Sequence, residues 1–256
     1  MDGHFGTLYL DQITAERIDQ TAKARVGTAP ATKNRMVALI RAILRRAERQ
    51  WEWIDRAPAV RTYSAPNQRI RWITREEADL LIKELPDHLA DMARFTLATG
   101  LRRANVTKLE WGQIDMQRRV AWIHPDQAKA RRAIGIPLNA DACDVLMQWI
   151  GRDDRWVFTY QGHPVEQVST SAWYKALKRA GIENFRWHDL RHTWASWHVQ
   201  GGTSLQDLMA MGGWASYDLV LRYAHLAPEH LADAAARIES GRTFSGTPPK
   251  LKLVSH

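Results

Sequence analysis

The sequence predicts a mainly α-helical protein with a small antiparallel β-sheet, an α+β fold in two domains. Three observations carry this. Apolar residues recur at helical spacing along most of the chain. Two short runs of β-type residues, "RRVAWIHP" and "RAIGIPL", flank the charged stretch "DQAKAR". A Pro-, Ser- and Asn-containing stretch, "RAPAVRTYSAPNQRIRW", divides the chain near residues 57–70.

The elements follow in order. "LDQITAERIDQTAKAR" has a weak amphipathic pattern, and "GTAP" (Gly27–Pro30) interrupts it. "ATKNRMVALIRAILRRAERQWEWI" then places Met36, Leu39, Ile40, Ile43 and Leu44 at helical spacing, followed by Ala47, Trp51 and Ile54. Its other face carries Lys33, Arg35, Arg41, Arg45, Arg46 and Arg49, with no acid before Glu48, so it suits either solvent or phosphates. Beyond the divide, Thr74 and Glu77 form a capping box at the start of "TREEADLLIKEL". "DHLADMARFTLATG" is a helix stopped by Gly100. The two β-type runs make a hairpin with a charged tip, and from "NADACDVLMQWI" to about residue 239 the pattern is mostly helical. The expected organisation is a helical domain over 1–60, a linker over 61–70, a mixed domain over 71–240 and a loosely ordered tail over 241–256.

The 256 residues suffice for one large or two modest domains, and 45% hydrophobic against 25% charged residues indicates a globular chain. A net charge of +8 and a pI of about 9.8 favour a polyanionic partner, nucleic acid first. The single cysteine, Cys143, forms no internal disulfide and no zinc cluster, which fits a reducing compartment. The start lacks a signal-peptide pattern and no apolar run reaches membrane length, so a cytoplasmic protein is expected. No Walker pattern or glycine-rich dinucleotide fingerprint is present, and no cofactor is expected.

"HDLRH" (His188–His192) concentrates chemistry in five residues. On a helix, Leu190, Trp194 and Trp197 share an apolar face, while His188, Arg191, His192 and Ala195 share the opposite one, directed at a cleft or at water. Three readings stay open on these residues alone: a solvated polar face, a zincin-like metal pair, or a grip on one anion by His188 and Arg191.

Four fragments, "ATGLRRANVTKLEW", "QAKARRAIGIPL", "WHDLRHTWAS" and "MGGWASYDLVLRYAHL", resemble in order the catalytic motifs of the tyrosine recombinases, most closely phage-type integrases. The resemblance covers about residues 70–230. It implies a helical core-binding domain, here only in part, followed by a tyrosine-recombinase catalytic domain. It also implies a catalytic set of Arg102, Lys129, His188, Arg191, Trp214 and the nucleophile Tyr223, with no metal. Lys33, Arg35, Arg41, Arg45, Arg131 and Arg132 are the candidate DNA contacts.

The implied activity is site-specific recombination through a 3′-phosphotyrosyl intermediate and a Holliday junction. The implied partners are double-stranded DNA, three further copies of the chain in a homotetramer on two sites, and accessory DNA-bending or directionality proteins, in a nucleoid-associated setting. Type IB topoisomerase-like relaxation and non-catalytic DNA binding are the alternatives.

Overall fold

The computed structural model describes residues 5–64, 69–127 and 133–227. The chain divides into two compact units, Met1–Arg69 and Ile70–His256.

In the first unit, α1 (Ala15–Lys23) starts at Thr14, whose hydroxyl accepts from the Arg17 N–H at 3.3 Å. A 3-10 turn, Leu10–Gln12, precedes it, so the first predicted helix is two pieces. The longer α2 (Pro30–Arg49) has Pro30 in its first turn, where a missing N–H costs nothing. Met36, Val37, Ile40, Leu44 and Ala47 form its buried stripe, packed on Ile13, Ile18 and Ala22.

Leu39 and Ile43, expected in that stripe, are 50% and 43% exposed. The stripe centred on Ile40 and Leu44 turns them to its flank. Trp51 and Ile54 fall beyond the helix end. Tyr63, within the stretch expected to be a linker, is tied into this unit. The Asn34 side chain donates to its carbonyl at 2.8 Å and accepts from its N–H at 2.7 Å, and its hydroxyl donates to Asp19.

In the second unit, α3 (Arg75–Glu84) carries the expected capping box. Thr74 accepts from the Glu77 N–H at 3.2 Å, and Glu77 accepts from the Thr74 N–H at 2.8 Å. The next helix, α4 (Asp87–Thr99), is buried on nearly all sides. Its one buried acid, Asp91, is satisfied by the Trp149 indole N–H at 3.0 Å and by Arg94. A short α5 (Arg103–Thr107) leads to a three-stranded antiparallel sheet of β1 (Ile114–Asp115), β2 (Val120–Ile123) and β3 (Ile134–Pro137), in that order. Ala121 pairs with Ile136 and Ile123 with Ile134, all four on one side, which faces the main core.

Then follow α6 (Ala140–Trp149), α7 (Ser171–Arg179), α8 (Trp187–Gln200), α9 (Leu205–Gly212) and α10 (Asp218–Leu221). Between α6 and α7 a two-residue hairpin, β4 (Thr159–Tyr160) and β5 (His163–Pro164), interrupts what the sequence pattern reads as helical. Strands this short leave no alternation to detect. Among the described residues no helix is long and apolar enough to cross a membrane.

Gly100 ends α4 at φ +64°, and a Cβ there would lie 2.3 Å from the Trp194 ring on α8. The position needs glycine twice over, for its left-handed backbone and for the indole pressed against it. Gly100→Ala should destabilise the second unit by about 2–5 kcal/mol, the sum of the left-handed and overpacking penalties. The midpoint of urea unfolding measures this.

Candidate active site

The site is built around α8. Its start is closed by Asp189, whose carboxylate accepts the Arg186 N–H at 2.8 Å. This helix is buried on nearly every side: Trp187 and Leu190 enter the main core, while Trp194 and Ala195 enter a second cluster with Leu208, Val220 and Tyr223. The expected polar face is therefore not aimed at water. Arg191, His192 and Ala195 are all buried, and His188 alone of that face is exposed. An arginine can enter such a core only with hydrogen-bond partners.

Arg191 finds them in the backbone. Its guanidinium donates to the carbonyl of Gly100 and, at 2.6 Å, to that of Gly212, and it lies 4.3 Å from the centroid of the Trp214 ring. One side chain thus links the end of α4, the end of α9 and the tryptophan after it. Gly212 admits this packing because a Cβ there would fall 1.9 Å from the Trp214 ring.

Two residues past Gly100, Arg102 sits half-buried as the residue before α5, in extended backbone, while its neighbour Arg103 is exposed. Burial lowers the pKa of Arg102. Burial first, and then the charge of Arg102, lower that of Arg191 to about 9, which leaves it cationic at neutral pH. Two partly desolvated cations held near each other create a strong preference for an anion.

Tyr223 is 1% exposed, and its Oη stands 2.6 Å from Nδ1 of His192. Burial raises its pKa to about 12, against the opposing pull of Arg222 and Arg191. Tyr217, the other tyrosine of this segment, is 48% exposed. Although the His188 ring reaches solvent, burial of part of it is the largest cause of its lowered pKa, with Arg191 next, Asp189 opposing, and Arg102 and Arg222 adding smaller effects. His188 meets His192 edge to face, with centroids 5.1 Å apart.

The fold thus brings Arg102, His188, Arg191, Trp214 and Tyr223 together. Sequence reasoning grouped His192 with a metal pair and missed it as the partner of Tyr223. Its only signal is its place one helical turn after His188. Asp189 accepts a backbone N–H at the helix start, and among the described residues no three His, Cys, Asp or Glu side chains stand together to hold a metal ion.

Lys129, Arg131 and Arg132 lie outside the described residues. The chain leading to them is anchored: the Gln127 carbonyl accepts from Asn105 on α5 at 3.1 Å, and its side chain accepts from Gln113 at 2.8 Å. Lys33, Arg35, Arg41 and Arg45 belong to the first unit, on α2. There Arg35 and Arg45 are exposed, Arg41 is half-buried, and the Lys33 ammonium lies 5.8 Å from the centre of the Tyr63 ring. A cavity of about 770 Å³ lies between α3, α4, α6 and the far side of α8, lined by Arg75, Asp79, Trp197 and His198 rather than by this cluster.

Residues 71–230 match the model of the phage integrase family. The chain is 49% identical over 225 residues to the integrase of Salmonella phage P22, covering 83% of this chain and 58% of that protein. It is 28% identical over 215 residues to the integrase of Escherichia phage 186, covering 80% and 60%. The chain therefore spans about three-fifths of the length of these curated relatives. Among solved structures it superposes on the Tn1549 transposon integrase bound to a circular intermediate DNA, with a TM-score of 0.73 at 16% identity, covering 89% of this chain and 86% of that one.

The Tyr223 environment has a measurable signature. Folding raises its pKa from 10.0 to about 12, so its contribution to stability is fully present below pH 10 and is lost as pH climbs through about 12. Over that window the parent should lose up to about 3 kcal/mol more than Tyr223→Phe, at 1.36 kcal/mol per unit. Urea midpoints across the alkaline series measure the difference.

Proposed function

The chain belongs to the phage integrase family, and on that premise we propose that it is a site-specific DNA recombinase acting through a 3′-phosphotyrosyl intermediate. The observation that carries the reading is the meeting of buried Arg191, half-buried Arg102 and Tyr223 in one cluster biased towards an anion. A phosphodiester brings that anion.

Arg102 and Arg191 hold the non-bridging oxygens and stabilise the charge that grows as phosphorus becomes five-coordinate. Arg191 can do so because its two bonds to glycine carbonyls use only part of a five-donor guanidinium. Tyr223 attacks phosphorus, and the bond formed preserves the energy of the one broken, so religation needs no ATP. His188, with its lowered pKa, is a neutral hydrogen-bonding group for the phosphate near neutral pH. Trp214 gives Arg191 its aromatic bed and offers an indole N–H. Lys129 is proposed to protonate the departing 5′-oxygen, since a lysine can surrender a proton that an arginine holds.

Religation onto another strand gives a Holliday junction, and a second round completes the exchange. This requires a homotetramer on two double-stranded sites, with Lys33, Arg35, Arg41, Arg45, Arg131 and Arg132 gripping phosphates and with accessory DNA-bending or directionality proteins. Exchange between two sites distinguishes this from type IB relaxation, and a covalent adduct distinguishes it from DNA binding alone.

Tyr223→Phe should retain DNA binding and lose the protein–DNA adduct on a nicked suicide duplex. An adduct that persists moves the nucleophile elsewhere, with Tyr217 the first suspect. Arg191→Ala should slow cleavage by at least about 10²–10³, the usual loss for one oxyanion donor. Cleavage should proceed in EDTA, because the arginines supply the positive charge. Activity lost with chelator and restored by zinc would instead revive the metal reading of "HDLRH".

A further inference from the structure

We propose that His192 is the group that takes the phenolic proton of Tyr223 during strand cleavage, and returns it during religation. This rests on the reading of Tyr223 as the nucleophile. His188 belongs to the implied catalytic set, but the phenol hydroxyl is at Nδ1 of His192, 2.6 Å away. A general base must stand within hydrogen-bond reach of the proton it removes. The Tyr223 ring is shut off from solvent, so bulk water does not substitute.

The step balances without any further reactant. Neutral His192 carries its hydrogen on Nε2 and accepts the Tyr223 hydroxyl at Nδ1. The Oη–P bond forms, the P–O5′ bond breaks, and the phenolic proton passes to Nδ1, leaving an imidazolium. The separate proton needed by O5′ comes from the leaving-group acid. In religation the 5′-hydroxyl attacks phosphorus, the Oη–P bond breaks, and the imidazolium returns its proton to Oη.

The charged groups around the pair suit this traffic. Arg191 from α8 and Arg222 beside the tyrosine favour the developing phenolate. At the neighbouring His188, Asp189 favours an imidazolium, while Arg191, Arg102 and Arg222 oppose one. Arg102 and Arg191 are also the groups expected to receive the negative phosphate, which would offset their opposition once DNA is bound. His188 lies one turn before His192 and edge-on to it, with ring centroids 5.1 Å apart.

The test uses the full-length protein and a nicked duplex carrying its core site, mapped from sequenced exchange products, with sulfur in place of the bridging 5′-oxygen. That leaving group needs no proton, so the pH profile of cleavage reports the nucleophile side alone. The parent rate should rise with pH as an imidazole loses its proton and then level. His192→Asn keeps an acceptor oxygen at the place of Nδ1 but has no basicity. It should bind the duplex as the parent does, cleave about 10²–10⁴ more slowly, and rise with hydroxide without levelling. His188→Asn should lose rate yet retain the parent's limb.

If His192→Asn, or His192→Gln should the first not bind, cleaves at the parent rate with the parent's profile, the contact only holds the tyrosine ring and the proposal fails. If the limb disappears in His188→Asn instead, the base is His188 and the proposal fails. An adduct formed by Tyr223→Phe would refute the assignment of the nucleophile itself, a result separable from both.

Discussion

The guanidinium of Arg191 is the junction on which the site depends. It is a cation inside a hydrophobic helix environment, held by the carbonyls of Gly100 and Gly212 and by the face of Trp214. Each carbonyl belongs to a helix end, where the last turn leaves acceptors without intrahelical partners. The arginine satisfies groups that helices leave open, and those groups pay for its burial. The same bonds set the geometry around it, since Arg102 follows one glycine by two residues and Trp214 follows the other by two. Glycine is needed at both because indole rings, Trp194 and Trp214, occupy the space a Cβ would take.

This arrangement biases the cluster towards an anion. A buried arginine is more often matched by a carboxylate. Here the nearby acid, Asp189, has its carboxylate on the backbone N–H of Arg186 at the helix start. Arg102 accordingly weakens the hold of Arg191 on its proton, and both arginines lower the pKa of His188. A phosphodiester, with one negative charge and two non-bridging oxygens, has the charge and donor demand that such a pair can answer.

Tyr223 shows the opposite balance. Its burial favours the neutral phenol, while the charges of Arg222 and Arg191 pull towards the phenolate. The segment that carries the tyrosine has little regular structure of its own. It is made of a four-residue helix, α10, and a 3-10 turn rather than a long helix.

Much of this was legible without coordinates, wherever a short-range rule governs. Thr74 with Glu77, and Gly100, declare helix ends because capping is decided within a few residues. Strands β2 and β3 announce themselves by composition and by the charged stretch between them. The motif order identifies the family, because its motifs are written in recognisable local words. The chain could not by itself say which side of α8 faces what. Periodicity assumes one wet face and places Arg191 and His192 at a cleft or at water, whereas this helix has almost no wet face. Their partners come from afar in sequence: Gly100 is 91 residues from Arg191, and Tyr223 is 31 from His192. Likewise, Leu39 and Ile43 fit the helical spacing of α2 as well as Val37 does, and only the packing against Ile13, Ile18 and Ala22 chooses between them. Spacing fixes which residues share a helix face. Which face is buried, and which of two histidines meets the tyrosine, is decided by contacts between segments that no local pattern encodes.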